Sequence, residues 1–375
     1  MSAADGRVLR TEKLVDHGDP ARRWNLVILA EGFREPEMPQ FRAACARFID
    51  QLFATPPFNE LWCAINIYCV DVASDESGAD DPNPCADGDN GSGLSARTYF
   101  DATYCTAGLG RLLAGNQALA LATAQAAVPQ VRATIGIVNS SRYGGAGGGV
   151  AWFSTHASAS QIGIHELGHS AFHLTDEYTD ARDNSTGGEP TAPNATTDTN
   201  RATTKWRDLI LPATPLPTMS NPNCANSDNR PSPVAAGTVG LFEGCDRSRC
   251  GAYRAEHDCY MRTLGTPFCS VCRRAIRNVL KPFMPQQVAP SVGVQFSDTL
   301  AAAETRRWFT HSWPACWQVC WTAIPRNPGL SGPTLELRVR TERASRELVT
   351  YWLDITNRSA AAVEFDARYE ILSRD

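Results

Sequence analysis

The stretch His165–Tyr178, HELGHSAFHLTDEY, decides how this chain is read. On a helix, His165 and His169 stand one turn apart on the same face, so their imidazoles can converge on a single metal ion. Glu166 sits beside the first of them. There it can take a proton from a water on that metal and later hand it to a leaving amine. With seven His and seventeen Glu in 375 residues, composition alone would produce HExxH about 0.006 times. The competing reading is a buried, metal-free helix that happens to carry two histidines. Against it, SASQIGI immediately upstream extends the helix far enough to present both rings.

A catalytic zinc takes three protein ligands and keeps one position open. His173, Asp176 and Glu177 are the candidates for the third. His173 continues the four-residue spacing, but it would stand about 12 Å along a helix axis from His165, too far to share one ion. A helix that ends soon after His169 lets the chain double back and bring a carboxylate under the metal. Asp176 is the expected third ligand, and His173 is expected to be an interior or capping residue.

Length and composition bound the setting. The chain has 43% hydrophobic and 20% charged residues and a net charge of −5, so it is neither disordered nor built for nucleic acid. No apolar run is long enough to span a bilayer. The first twenty residues read as a polar tail without a signal peptide, whereas thirteen cysteines favour an oxidising compartment. Localisation therefore stays open.

Working outward, Leu26–Leu29 and Ala64–Val72 read as buried strands, with an amphipathic helix between them marked by Met38, Phe41, Cys45, Phe48, Ile49 and Leu52. Leu112–Val128 is expected to be a helix and Ala133–Val138 a third strand, which together suggest an α/β layer. Asp75–Gly93 reads as a solvated acidic loop. In the glycine run YGGAGGG (Tyr143–Gly149), Gly144 to Gly149 permit close backbone approach, and Val150–Ser154 could form an edge strand to which an extended peptide adds. Beyond about residue 290, runs such as Leu335–Val339, Leu348–Ile355 and Ala362–Leu372 alternate apolar and polar residues, as in a small antiparallel β-sandwich. Breaks at NPGLSG and TNRSAA separate them. The expected organisation is a tail (1–20), a catalytic domain (21–287) and a C-terminal accessory domain (288–375).

The order of YGGAGGG, HELGHSAFHLTDEY, DCYMR and FCSVC, preceded by NLVILAEGF, FIDQLFATPPF and INIYCVDVASDESG, resembles the M64 family of zinc metallopeptidases, the immunoglobulin A peptidase family. The resemblance runs from about Asn25 to Leu280. It implies a zincin-like α/β catalytic domain, a mixed sheet with an active-site helix. It also implies zinc held by His165, His169 and Asp176, with Glu166 as general base. Met261 would lie in a hydrophobic turn beneath the metal, as in metzincins; taken alone it reads as core. Family members carry Gly where this chain has His173, and His tolerates the required left-handed turn at some cost. Tyr143, Tyr178 and Gly145 are candidates for binding substrate or stabilising an oxyanion.

Five cysteines crowd Gly244–Cys272. Cys259, Cys269 and Cys272, with Cys245 or Cys250, could hold a structural zinc, but disulfides are the favoured reading and a second zinc is not expected. Cys85 and Cys105 could staple the acidic loop. WFTHSWPACWQVCW packs four tryptophans together; a core role is preferred over a glycan- or protein-binding face. The leading function is a metalloendopeptidase acting on protein or peptide. An aminopeptidase or amidohydrolase, and a non-catalytic binding protein on a peptidase scaffold, are the alternatives.

Overall fold

A computed structural model describes residues 5–184, 188–224, 230–285, 291–326 and 335–373. The expected domain boundary at 287/288 and the NPGLSG break lie outside them. The chain divides into two compact units, residues 1–14 with 18–282, and residues 15–17 with 283–375.

The first unit is built on strands that bury both faces. β2 (Trp24–Glu31) and β3 (Ile65–Ser74) are buried at every position, as expected of strands covered on two sides by helices and loops. β2 pairs in parallel with β3 and with β4 (Val131–Val138), and β4 pairs in parallel with β6 (Ala151–Ser154). β5 (Gly145–Ala146) closes the sheet antiparallel to β6, and β1 (Gly6–Val15) forms the opposite edge in the order β1-β3-β2-β4-β6-β5. The result is a mixed α/β sheet.

α1 (Met38–Ala54) buries Phe41, Cys45, Phe48, Ile49 and Leu52 at the expected three- and four-residue spacing. Its Phe48 meets Phe153 of β6 at 5.4 Å between ring centroids. α2 (Phe58–Leu61) is a single short turn that buries Phe58 and Leu61.

Three expectations are corrected here. The N-terminal segment is not a tail, because Gly6–Val15 is the edge strand β1. Half of its side chains are exposed, and Arg10 pairs with the buried Asp71 on β3; charge on an edge is a defence against stray pairing. The helix expected over Leu112–Val128 is shorter, α3 (Gln117–Ala127). Asn116 caps it by accepting from Leu119 N at 3.1 Å, while Gly115 lies against Phe100 and Trp152. Finally, Ala151–Ser154 is not an edge: β6 lies between β4 and β5, and the two-residue β5 of the glycine run is the outer strand.

α4 (Ala159–Phe172) carries the histidines, and β7 (Thr179–Asn184) follows it. β7 pairs with β9 (Arg247–Arg254), which pairs with β8 (Phe242–Cys245), and α5 (Ser270–Leu280) follows these strands. The acidic loop is stapled by the expected Cys85–Cys105 disulfide, and Asp81 and Asp89 both pair with Arg142.

The second unit contains two three-stranded antiparallel sheets. One is β10 (Ser291–Leu300), β15 (Val363–Ser373) and β12 (Gln318–Pro325); the other is β11 (Thr305–Pro314), β14 (Leu348–Asn357) and β13 (Leu335–Arg343). Leu300, Phe365 and Ala367 from the first share a cluster with Ile355 from the second. Of the four tryptophans, Trp308, Trp313 and Trp321 pack into the core clusters, as the core reading expected, while Trp317 is half-buried and edge-on to Trp313. No helix among the described residues is long and apolar enough to cross a membrane.

Candidate functional site

α4 stops where the left-handed conformation begins. His173 adopts φ 54° and ψ 31°, and Leu174 N donates to Gly168 O at 3.0 Å. This is the bonding of a helix C-cap, a position that glycine fills most often. His173 is exposed, so the capping part of its expected role holds and the interior part does not. The turn sends the chain back along the helix and brings Asp176 to the histidines.

Nε2 of His165 and Nε2 of His169 lie 3.2 Å apart, and each lies 3.1 Å from Asp176 Oδ1. The three atoms form a nearly equilateral face. Ligands on a tetrahedral metal at about 2.0–2.1 Å are separated by about 3.3 Å, so the donor set and its spacing fit a divalent ion. The remaining imidazole nitrogens are already committed. His169 Nδ1 faces Leu174 O at 2.7 Å and His165 Nδ1 faces Tyr260 O at 3.3 Å. With a metal bound, a proton on each Nδ1 would leave Nε2 as the ligating atom.

The electrostatics suit a cation. Burial works to lower the His169 pKa, but the adjoining Asp176 carboxylate outweighs it and holds the imidazole up to about 9. Burial likewise opposes the Asp176 charge, yet its hydrogen bonds to the two imidazoles bring it well below the usual carboxylate range. Glu166 differs. Burial pushes its carboxyl up, the two imidazoles pull it back, and among the described residues no donor binds it. It is the uncommitted carboxylate of the group.

These residues line a groove of about 640 Å³. The glycine run passes close over α4: a Cβ on Gly145 would stand 2.6 Å from Ile162 Cγ2, and one on Gly147 would stand 2.6 Å from His169 Cβ. Gly147 and Gly148 line the groove, as do Tyr143 and Tyr178. Gly145 does not: its N–H donates to Arg111 O and its carbonyl accepts from Leu113 N. The Tyr178 ring stacks on His165 with centroids 6.4 Å apart. Burial and the neighbouring Asp176 carboxylate hold its hydroxyl up to about 12, a phenol that keeps its proton. Tyr143 lies farther out, 43% exposed, edge-on to His156.

Met261 is fully buried below α4, and its Sδ would stand 2.7 Å from a Cβ on Gly168. Its carbonyl accepts from Glu177 N at 2.8 Å, tying this turn to the segment that carries Asp176. Arg111 is the groove residue that sequence reasoning missed. Its Nη2 lies 3.5 Å from the Tyr178 hydroxyl, and its guanidinium carbon is 5.9 Å from that ring's centroid. It stands in an irregular segment, with no spacing signal to relate it to the histidines.

The cysteines depart from expectation. Cys250 pairs with Cys224, and Cys245, Cys259, Cys269 and Cys272 are free and buried.

Fold and groove together define a class first: an α/β layer whose helix brings two imidazoles, and whose following turn brings a carboxylate, to a groove beside a glutamate that no donor among the described residues binds. More narrowly, the chain belongs to the IgA Peptidase M64 family, whose profile matches residues 13–230 and 227–280. It is a peptidase by family, and the match leaves residues 281–375 outside it. Compared with curated proteins, the sequence finds no match.

Proposed function

We propose that this chain is a zinc-dependent metalloendopeptidase with a zincin-like active site. The observation that carries the reading is the triangle of His165 Nε2, His169 Nε2 and Asp176 Oδ1, with the Glu166 carboxylate beside it and bound by no donor among the described residues. His165, His169 and Asp176 would hold the ion. Bound there, zinc would act as a Lewis acid on a peptide carbonyl and acidify the attacking water.

The chain's own residues supply the rest. Glu166 Oε1 or Oε2 takes the proton of the attacking water and returns it to the amide nitrogen as the bond to that nitrogen breaks. The Tyr178 hydroxyl, close to His165 and Arg111, donates to the oxygen that gains charge, and the Arg111 guanidinium adds a positive field there. An extended substrate strand lies along Gly147 and Gly148, which line the groove, and the missing side chain of Gly147 lets this backbone pass close to His169. Met261 fills the space under the helix and keeps the histidines at fixed height.

An exopeptidase needs a carboxylate reserved for a free substrate amine. Among the described residues, the acidic ones lining the groove are Glu166 and Asp176, both already assigned, which favours internal cleavage. The test is a peptide blocked at both ends. Cleavage that stops on chelation and returns with zinc supports the proposal. Failure to cut any blocked peptide while free amino termini are trimmed would replace it with an aminopeptidase.

A further inference from the structure

The geometry points to a second, structural zinc site formed by Glu177, Cys259, Cys269 and Cys272, on the far side of the segment that carries Asp176. One Oε of Glu177 and the three Sγ atoms lie within 4.8 Å of one another, and all four residues are buried. Three of the separations are defined. Cys259 Sγ to Cys272 Sγ is 3.7 Å, Cys272 Sγ to Glu177 Oε1 is 3.3 Å, and Cys269 Sγ to Glu177 Oε1 is 3.7 Å. With Zn–S near 2.3 Å and Zn–O near 2.0 Å, tetrahedral edges are about 3.8 Å for S···S and about 3.5 Å for S···O. The three defined edges match those of a closed four-ligand shell, and a shell without an open position is structural.

Three further observations point the same way. Glu177 Oε2 is buried without a hydrogen-bond partner, a costly state for a carboxylate oxygen that a cation beside it would relieve. Backbone N–H groups are aimed at sulfur, Cys269 N at Cys259 Sγ (3.2 Å) and Cys272 N at Cys269 Sγ (3.3 Å), an arrangement that stabilises thiolates. Asn194 Nδ2 donates to Glu177 Oε1 at 3.0 Å and fixes the carboxylate's orientation.

Sulfur-rich tetrahedral donors select zinc over magnesium or calcium. As the S–Zn bonds form, every cysteine that still carries its thiol proton gives it to solvent. One disulfide among the three cysteines would leave an odd thiol facing the Glu177 carboxylate.

The site would also serve the groove. Glu177 adjoins Asp176, Cys259 lies two residues before Met261, and the Tyr260 carbonyl faces His165 Nδ1. A zinc joining Glu177 to Cys259 would pin both segments that shape the first site. The inference does not depend on the peptidase reading, since it concerns a separate set of ligands.

The test uses the full chain carrying His169→Ala, which removes the groove site, loaded with cobalt(II) after thiol reduction. One cobalt per chain with a sulfur-to-cobalt charge-transfer band is expected, together with two zincs in the wild type and one in the variant. Adding Cys272→Ser should abolish the band; should that protein not fold, the His169→Ala spectrum decides alone. No metal in the variant with all three thiols titratable, metal without the sulfur band, or a disulfide mapped among Cys259, Cys269 and Cys272 would overturn the inference. A wild type with one metal that survives His169→Ala would instead remove the groove metal and leave the cysteine site standing.

Discussion

Asp176 and Glu177 are consecutive, yet their carboxylates face different polar clusters: Asp176 Oδ1 is 3.1 Å from His165 Nε2, and Glu177 Oε1 is 3.3 Å from Cys272 Sγ. In extended chain, successive side chains point to opposite sides, so one short segment can serve two sites without a turn between them. The segment is delivered by the left-handed cap at His173 and held by Glu177 N donating to Met261 O. Local backbone, rather than long-range charge, therefore sets where the third ligand of the groove sits.

His173→Gly should make the protein more stable by about 0.5–1 kcal/mol. Glycine removes the Cβ strain of the left-handed region, and its greater freedom in the unfolded chain offsets part of that gain. His173→Val should cost more than the glycine gains, because a β-branched residue fits that region worst. Denaturant midpoints of the three proteins at equal slope measure both. A glycine variant that is less stable than wild type would show that the exposed imidazole does something besides capping.

Glu166→Gln should reduce hydrolysis by about 10²–10⁴ while metal content stays at the wild-type level. The amide keeps the shape of the carboxylate but cannot accept the water's proton. Because no described donor holds the carboxylate, its loss leaves no partner unsatisfied and folding should be unaffected. Turnover and metal per chain, measured on one preparation, separate the two effects. Near-normal turnover would remove Glu166 from the general-base role.

Much of the first unit was legible because its signals are local. HExxH is a spacing within one helix, the apolar runs of β2 and β3 mark buried strands, and α1 repeats its apolar face faithfully. The doubling back to Asp176 could be argued from helix rise alone. What was hidden depends on distance through space. β1 shows no apolar alternation because it is a charged edge. β5 is two residues long, too short to register, so the sheet edge was expected one strand early. Arg111 meets Tyr178 only after the sheet has formed. The cysteines between Gly244 and Cys272 could not be paired by counting, since Cys250 finds Cys224 in the preceding loop and Cys259, Cys269 and Cys272 gather around Glu177.

Arg111→Ala should lower kcat more than it raises KM for a blocked peptide, by about tenfold to a hundredfold. Its guanidinium sits beside the Tyr178 hydroxyl, where charge develops in the transition state rather than in the bound substrate. Tyr178→Phe should show the same pattern and lose little further in the double variant, because the two groups act on one oxygen. A pure KM effect would make Arg111 a substrate-binding residue instead.

The buried Glu31 should make stability depend on pH. Burial drives its carboxyl up to about 7, although Thr98 Oγ1, Phe100 N and Ala102 N all donate to it. A pKa raised on folding means that the native state holds a proton the unfolded chain has lost. The stabilisation is fully present below the ordinary glutamate range and fades as pH rises through about 7, by as much as about 3 kcal/mol at the high-pH limit. Unfolding free energies measured between pH 4.5 and 8 should fall along this course, and Glu31→Gln should flatten it. An unchanged slope in that variant would assign the dependence to other groups.

Gly147→Ala should weaken metal binding without touching a ligand atom. Its added Cβ would stand 2.6 Å from His169 Cβ and 3.1 Å from His169 Cγ. A rotamer change cannot relieve the first contact, because the position of His169 Cβ is set by the backbone of α4. Either the glycine strand lifts or the helix shifts, and both move the imidazole relative to His165 Nε2 and Asp176 Oδ1. Displacements of this kind behave like loss of an orienting partner, which costs about 10–100-fold in affinity. Competition with a chelator of known strength reads the change, and circular dichroism confirms that the fold persists. Wild-type affinity in a folded Gly147→Ala protein would mean that the glycine run yields freely, and that its closeness to the histidines has no part in holding the metal.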